Sequence, residues 1–252
     1  MGKIIAFTGC KGGCGTTWLT AALGHSLSLL PKKTCVVDMN IGMRALDLTL
    51  GVQDRVVFDL YDLCMESCTM EQALLRIRES LFMIAAPVLD VSAEMTGKCL
   101  KHGLERLRKR FDFVLLDLPV ACHPWAKTVS ALADQTILIS VPGSQSSRNL
   151  ERACALLREE KGTSLSLLMN QYDRGTPPTG LPGFIAQAEY LDLPLIGAVP
   201  FRSVLLERDA IDLDAKDFSG AFGEALHDTA LRLNGSDIPI VKTKKWRLPW
   251  HS

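Results

Sequence analysis

Neither sign of charge prevails in this chain: Lys plus Arg number 28, Asp plus Glu number 28, and the formal net charge is zero. A balanced chain has no global field to gather nucleic acid or anionic lipid, so such binding has to come from a local patch. Long apolar runs are also missing. No stretch reaches the roughly 18 to 20 residues that span a bilayer. The N-terminus offers only Ile4 to Phe7 before Thr8 and Gly9, too little for a secretory signal core. The chain is therefore expected in the cytoplasm, with its cysteines as thiols. Those eight cysteines, at 10, 14, 35, 64, 68, 99, 122 and 154, lack the C-x2-C pairs of a zinc ribbon. Cys10-x3-Cys14 and Cys64-x3-Cys68 read as small, mostly buried thiols. No internal repeat and no Gly-, Ser- or Pro-rich linker divides the 252 residues. One domain over 1–235 is expected, followed by a basic, Trp-containing tail over 236–252.

Apolar residues make up 47% of the chain, enough for a substantial core. Short aliphatic and β-branched runs recur at 3–7, 34–37, 81–85, 113–116, 136–141, 165–169 and 195–199. They are continuous rather than alternating, as strands buried on both faces of a parallel sheet are. Amphipathic stretches lie between them or follow the last one, at 18–30, 99–110, 148–160, 184–191 and 214–233, while 174–178 and 181–183 carry loop residues. This alternation predicts an α/β fold, a doubly wound, mostly parallel sheet of about seven strands with helices on both faces. Ligands of such sheets bind outside the carboxyl ends of the strands.

The first such end is followed by Gly9-Cys10-Lys11-Gly12-Gly13-Cys14-Gly15-Thr16-Thr17, and then by a helical stretch. Glycines between a strand and a helix let backbone N–H groups converge on a phosphate, and the helix N-terminus adds its own free donors. A tight turn made for packing alone is the plainer reading, but three glycines in four residues exceed what a turn requires. The strict P-loop pattern fails here: Cys10 stands where its first Gly belongs and Thr16 where its Lys belongs. Thr17 is placed to ligate Mg²⁺ through its hydroxyl or simply to cap the helix.

The variant loop Lys-Gly-Gly-x-Gly-Lys-Thr of the MinD/ParA family does fit. Lys11, Gly12, Gly13, Gly15 and Thr17 match it, and Thr16 departs. The resemblance, closest to the septum-site-determining MinD branch, runs from residue 3 to about 235. It continues through Asp38-Met39-Asn40 and Leu46-Asp47-Leu48-Thr49-Leu50-Gly51, which are similar to the family's switch region. There Asp38 matches the first aspartate, and Asn40 replaces the second, the one that orients or activates the attacking water. Asp117-Leu118-Pro119 resembles the Asp-Ser-Pro after the Walker B strand. Asn170 and Pro200, each at a strand end, match family positions that meet the adenine, with Gln171 in place of the usual Arg. In isolation Asp117, Asn170 and Pro200 would read as ordinary turn and cap residues.

The resemblance implies ATP or ADP with Mg²⁺ as cofactors. Gly12, Gly13, Cys14, Gly15, Thr16 and Thr17 would surround the phosphates, with Asn170 and Pro200 at the base. Thr17, Asp38 and Asp117 would serve the metal, directly or through water. Lys11, Asp38 and Asn40 would stand at the chemistry. In the family the lysine matching Lys11 reaches across a dimer interface to the partner's nucleotide, so a nucleotide-dependent homodimer and a regulatory protein partner are implied. Thr16 supplies no charge to the terminal phosphates, and Asn40 cannot accept a proton as a carboxylate can. The sequence therefore predicts nucleotide binding with slow or absent ATP hydrolysis, in a spatial regulator. Its rivals are an iron–sulfur carrier or reductase, with Cys99 and Cys122 as candidate ligands, a ParA-like DNA-segregation protein, and a non-hydrolysing adaptor. The tail, with Lys242, Lys244, Lys245 and Arg247 beside Trp246 and Trp250, reads first as a disordered, solvated tail; the same residues also suit reversible contact with an anionic membrane surface, although Pro249 interrupts any long helix. No nucleic-acid partner is expected: the cluster from Lys101 to Arg110 reads as a solvated helix face.

Overall fold

In the computed structural model the described residues are 1–91, 93–159, 163–172, 181–203, 210–213 and 218–240. Each apolar run becomes a strand: β1 (Lys3–Gly9), β2 (Thr34–Asp38), β4 (Leu81–Ile84), β5 (Phe113–Asp117), β6 (Gln135–Ser140), β7 (Leu165–Tyr172) and β8 (Leu195–Pro200). Together with β3 (Leu75–Arg76) they form one sheet in the order β3-β4-β2-β5-β1-β6-β7-β8. The count is thus eight, against about seven expected. The extra strand is two residues long and antiparallel to β4, too short to leave a periodic signature. All other pairings are parallel. β2 and β5 are buried at every residue, which explains their unbroken apolar character.

Alternate residues of each strand serve opposite faces. Ile5 and Phe7 of β1 join Leu19, Leu23 and Leu27 of helix α1 (Thr16–Ser28) and Phe222, Leu226 and Leu233 of helix α9 (Gly220–Leu233). Ile4 and Ala6 point the other way, toward Leu100, Leu104 and Leu107 of α5 (Gly97–Arg108) and Trp125 and Val129 of α6 (Pro124–Ser130). A third cluster extends that face beneath α7 (Ser144–Arg158) and α8 (Leu181–Tyr190). α1 lies close against β2 because residue 24 is glycine: a Cβ there would stand 2.5 Å from Val36 Cγ1. The expected helix over 214–233 begins at Gly220, and 214–217 lie outside the described residues.

The stretch from β2 to β3 holds short pieces that the sequence pattern did not announce: α2 (Leu46–Thr49), a 3₁₀ turn (Gln53–Arg55), α3 (Leu60–Cys64) and α4 (Met70–Ala73). Local capping explains the last two. Asp59 and Asp62 form a reciprocal capping box on α3, and Thr69 and Gln72 do so on α4. The basic cluster on α5 is partly tied up, since Arg108 pairs with Asp134 at 2.8 Å and Arg110 pairs with Glu71. Among the described residues no helix is long and apolar enough to cross a membrane. The loop at 174–178 and the tail from residue 241 lie outside the described residues.

Candidate nucleotide site

The chain leaves β1 in one direction for β2 and later leaves β5 in the other for β6, so the carboxyl ends of β1, β2 and β5 form the switch point of the sheet. The glycine-rich loop, Asp38 and Asp117 all lie there. Parallel pairing sets Asp38 beside Asp117 in register. The loop is anchored at its base. Cys10 N–H donates to Ile139 O at 3.0 Å, Gly9 O accepts from Ala121 N–H at 3.0 Å, and Thr8 Oγ1 donates to Pro119 O at 2.6 Å. Gly13 and Gly15 take φ values of +75° and +80°, left-handed conformations that favour glycine. α1 starts at Thr16 with no side-chain cap, so the amides of its first turn keep free donors at the end of the loop. Thr16 does not stand clear of that turn. Its Oγ1 lies 2.8 Å from where a Cβ on Gly9 would be, so the hydroxyl packs back against the loop's own entrance. Lys11 is half-buried with its charge beside the Cys14 thiol, and no carboxylate pairs with it among the described residues.

The two buried aspartates behave differently. Asp38 accepts from the amides of Asn40 at 2.8 Å, Ala45 at 3.0 Å and Leu46 at 2.9 Å, and so ties the start of α2 to the end of β2. Burial pushes its carboxyl up to about 6 against the opposing pull of those amides. Asp117 is fully buried. Burial first, and the neighbouring Asp38 charge second, raise its carboxyl well above the ordinary range. The Thr17 hydroxyl and the Asn40 amide pull it back down. Asn40 Nδ2 donates to Asp117 Oδ2 at 3.0 Å, a contact between β2 and β5 that a carboxylate at position 40 could not make. Asp117 Oδ1 is buried without a hydrogen bond of good geometry among the described residues, even though the Thr17 hydroxyl acts on the same carboxylate. A buried carboxyl oxygen left without a well-aligned partner beside a hydroxyl suits a hydrated divalent cation, which would favour the ionised carboxylate, because buried charges are paired or coordinate metals. The residues present therefore fit Mg²⁺.

On the other side of the loop, Asn170 Nδ2 donates to Cys14 O at 2.8 Å and Gln171 Nε2 to Gly13 O at 3.4 Å. Asn170 is thus already a brace on the loop. It also lines a cavity of about 270 Å³ with Gly15, Trp18, Pro200, Phe201 and Phe222. Trp18 and Phe222 meet with ring centroids 5.3 Å apart, and the Arg202 guanidinium lies over the Phe222 ring. Trp18 and Phe222 were not singled out by the sequence. The usable signal was an aromatic directly after a phosphate-loop motif; Phe222 arrives from the far end of the chain and carried none. In sum, the fold gathers Thr17, Asp38, Asn40 and Asp117 at one end of the loop and Asn170 with Pro200 at the other.

Comparison with known proteins bears on the family and the fold. A family model described as cellulose biosynthesis protein BcsQ matches residues 2–177. The septum site-determining protein MinD of Escherichia coli K12 is 30% identical over 253 residues, covering 95% of this chain and 94% of its own length. The chain belongs to the MinD/ParA family. The Aquifex aeolicus MinC:MinD complex includes a chain that superposes with a TM-score of 0.82 at 27% identity, covering 95% of this chain and 98% of that one. MinD from Pyrococcus horikoshii, solved with Mg-ADP, shares the fold at a TM-score of 0.79 and 23% identity, over 93% of this chain and 97% of its own. The expected fold class, a mostly parallel α/β sheet of the MinD/ParA type, is the one observed.

Proposed function

We propose that this chain is an ATP- and ADP-binding spatial regulator of the MinD kind, whose nucleotide state governs pairing with a second copy and docking of a regulatory partner. One arrangement carries the proposal: a loop with two left-handed glycines and an uncapped helix start, facing a buried carboxylate whose Oδ1 has no hydrogen bond of good geometry among the described residues. In this reading the amides from Gly12 to Thr17 receive the phosphates. Thr17 and Asp117 hold Mg²⁺, with Asp38 behind them, and the cavity beside Asn170 and Pro200 takes the base. Bound Mg²⁺ would neutralise charge on the terminal phosphates. Asn40 positions water without taking its proton, and Thr16 offers a hydroxyl where a family member offers an ammonium, so turnover is slow. Support for a protein partner comes from the Aquifex relative, which was solved with MinC.

Titration calorimetry with ADP and a non-hydrolysable ATP analogue, with and without Mg²⁺, tests the reading alongside mass measurement in solution. The expected result is Mg²⁺-dependent association and a doubling of mass with the triphosphate only. No association at millimolar nucleotide would overturn it. The 236–252 tail is proposed to add reversible contact with anionic membranes. Its described beginning is held to α9 by Arg232, which donates to Ile238 O at 2.7 Å and Pro239 O at 2.9 Å. Deletion of 242–252 is expected to abolish cosedimentation with anionic liposomes, and unchanged cosedimentation would remove the idea.

A second reading has its own observation, the family model named for cellulose biosynthesis. The same nucleotide-gated docking would then position a polysaccharide-secreting apparatus instead of a division site. A deletion strain scored for septum placement and for cellulose output separates the two.

A further inference from the structure

Of the eight cysteines only Cys14 has a task in the nucleotide reading, through its backbone, and the fold brings two of the others together. Cys64 ends α3 and Cys99 lies in the first turn of α5, which packs directly on α3. The two thiols are within hydrogen-bond reach of each other. Both line one open cavity of about 350 Å³, whose wall also carries Lys98, His102 and Arg106. Each rests against the apolar cluster between α3, α5 and the sheet, which limits how far it can swing. Cys99 Sγ donates to Thr96 O at 3.0 Å, which fixes the direction of its sulfur. No group of three or more His, Cys, Asp or Glu among the described residues is arranged to hold a metal ion. The chemistry available is therefore that of two facing thiols rather than coordination.

We propose that Cys64 and Cys99 are a reversible redox pair, closed to a disulfide by a hydroperoxide and reopened by a dithiol reductant. In the first step the Cys99 thiolate attacks one oxygen of the peroxide. The O–O bond breaks, hydroxide leaves, and Cys99 becomes a sulfenic acid. In the second step the Cys64 sulfur attacks Cys99, the S–S bond forms and the sulfenic hydroxyl departs. Two thiol protons and two electrons convert one hydrogen peroxide into two waters, so the sequence balances. The order follows from position. Cys99 shares α5 and the cavity wall with Lys98 and Arg106, whose charges favour the departing hydroxide, whereas burial favours the protonated Cys64 thiol until a partner is presented. The bond would staple α3, within the stretch between β2 and β3, to the helix preceding β5. The proposal is independent of the nucleotide reading.

Reduced protein exposed to stoichiometric hydrogen peroxide, alkylated without reductant and mapped by peptide mass tests it. The expected product is a Cys64–Cys99 linked peptide, lighter by about 2 Da than its two halves and lost on dithiothreitol treatment. Alkylation of both residues should fall together by about tenfold, and the melting temperature should rise by about 5 °C. Cys64→Ser should leave a Cys99 sulfenic acid that dimedone traps, and Cys68→Ser should leave the linked peptide intact. Full alkylation of Cys64 and Cys99 after oxidation, or a dominant link to any other cysteine, overturns the proposal. The wild-type map decides the matter even where a variant fails to fold.

Discussion

At the scale of single residues, two positions depart from the motifs that the sequence resembles, and each has a physical consequence visible in the fold. Asn40, where the resembled motif has a carboxylate, gives its amide to Asp117 Oδ2 at 3.0 Å. An aspartate there would put a third carboxylate beside Asp38 and Asp117, which already repel each other. Asn40→Asp is therefore expected to destabilise the nucleotide-free protein by about 1 to 3 kcal/mol while raising Mg²⁺-dependent ATP hydrolysis. Denaturant melts and phosphate release, measured on the same preparation, check both halves. Loss of stability without any gain in turnover would show that Asn40 is purely a strut. Thr16 has the opposite character, since its hydroxyl folds back against Gly9 and neutralises nothing. Thr16→Lys adds one charge-assisted contact to the phosphates, so ATP affinity should tighten by about ten- to a hundredfold in calorimetry. An unchanged dissociation constant would place the terminal phosphates away from residue 16.

At the scale of elements, the glycine-rich loop holds its shape through its neighbours as well as its own glycines. Asn170 on β7 donates to Cys14 O, and a Cβ on Gly15 would lie 2.6 Å from that same Asn170 Nδ2. Gly15→Ala must both leave a left-handed φ of +80° and displace the brace. It is expected to cost about 1 to 3 kcal/mol and to abolish nucleotide binding. Asn170→Ala should spare the fold and weaken binding, and comparing the two by calorimetry and thermal melts separates the backbone strain at Gly15 from the loss of the Asn170 side chain. Much of this architecture was legible in the sequence, because a strand buried on both faces has to be a continuous apolar run, and seven such runs punctuate the chain. The loop was legible for a similar reason, as backbone that approaches a phosphate needs glycine. What stayed hidden was either too short or too distant. β3 is two residues, and α2 to α4 owe their existence to local caps rather than to a periodic face. The Asn40–Asp117 bond and the Trp18–Phe222 contact join positions that only the strand order and helix packing bring together. Asp38 could be read as a site residue, but not as the acceptor for three backbone amides that ties the start of α2 to the end of β2.

For the whole molecule, the same pair of aspartates couples stability to pH and to Mg²⁺. In the fold, burial raises Asp38 from an ordinary 3.8 to about 6, and Asp117 is raised as well. Between the ordinary carboxylate range and these raised values the native state keeps protons that the unfolded chain has already released. Unfolding there releases protons, so stability falls as pH rises through the window, and the loss persists above it. This is the reverse of the usual carboxylate effect, in which a salt-bridged acid stabilises the fold above its unfolded pKa. A divalent cation bound beside Asp117 offsets the penalty only once the carboxylates are ionised. The apo protein is therefore expected to melt at a lower temperature at about pH 8 than at about pH 5, and Mg²⁺-ADP should raise the melting temperature much more at the higher pH. Asp117→Asn removes one of the two buried charges, so it should flatten the pH dependence and blunt the Mg²⁺ response together. Thermal melts across this range, with and without Mg²⁺-ADP, read all three effects. An apo melting temperature that climbs steadily with pH, or an equal Mg²⁺-ADP shift at both ends, would mean that the carboxylates at the ends of β2 and β5 do not form the cation site.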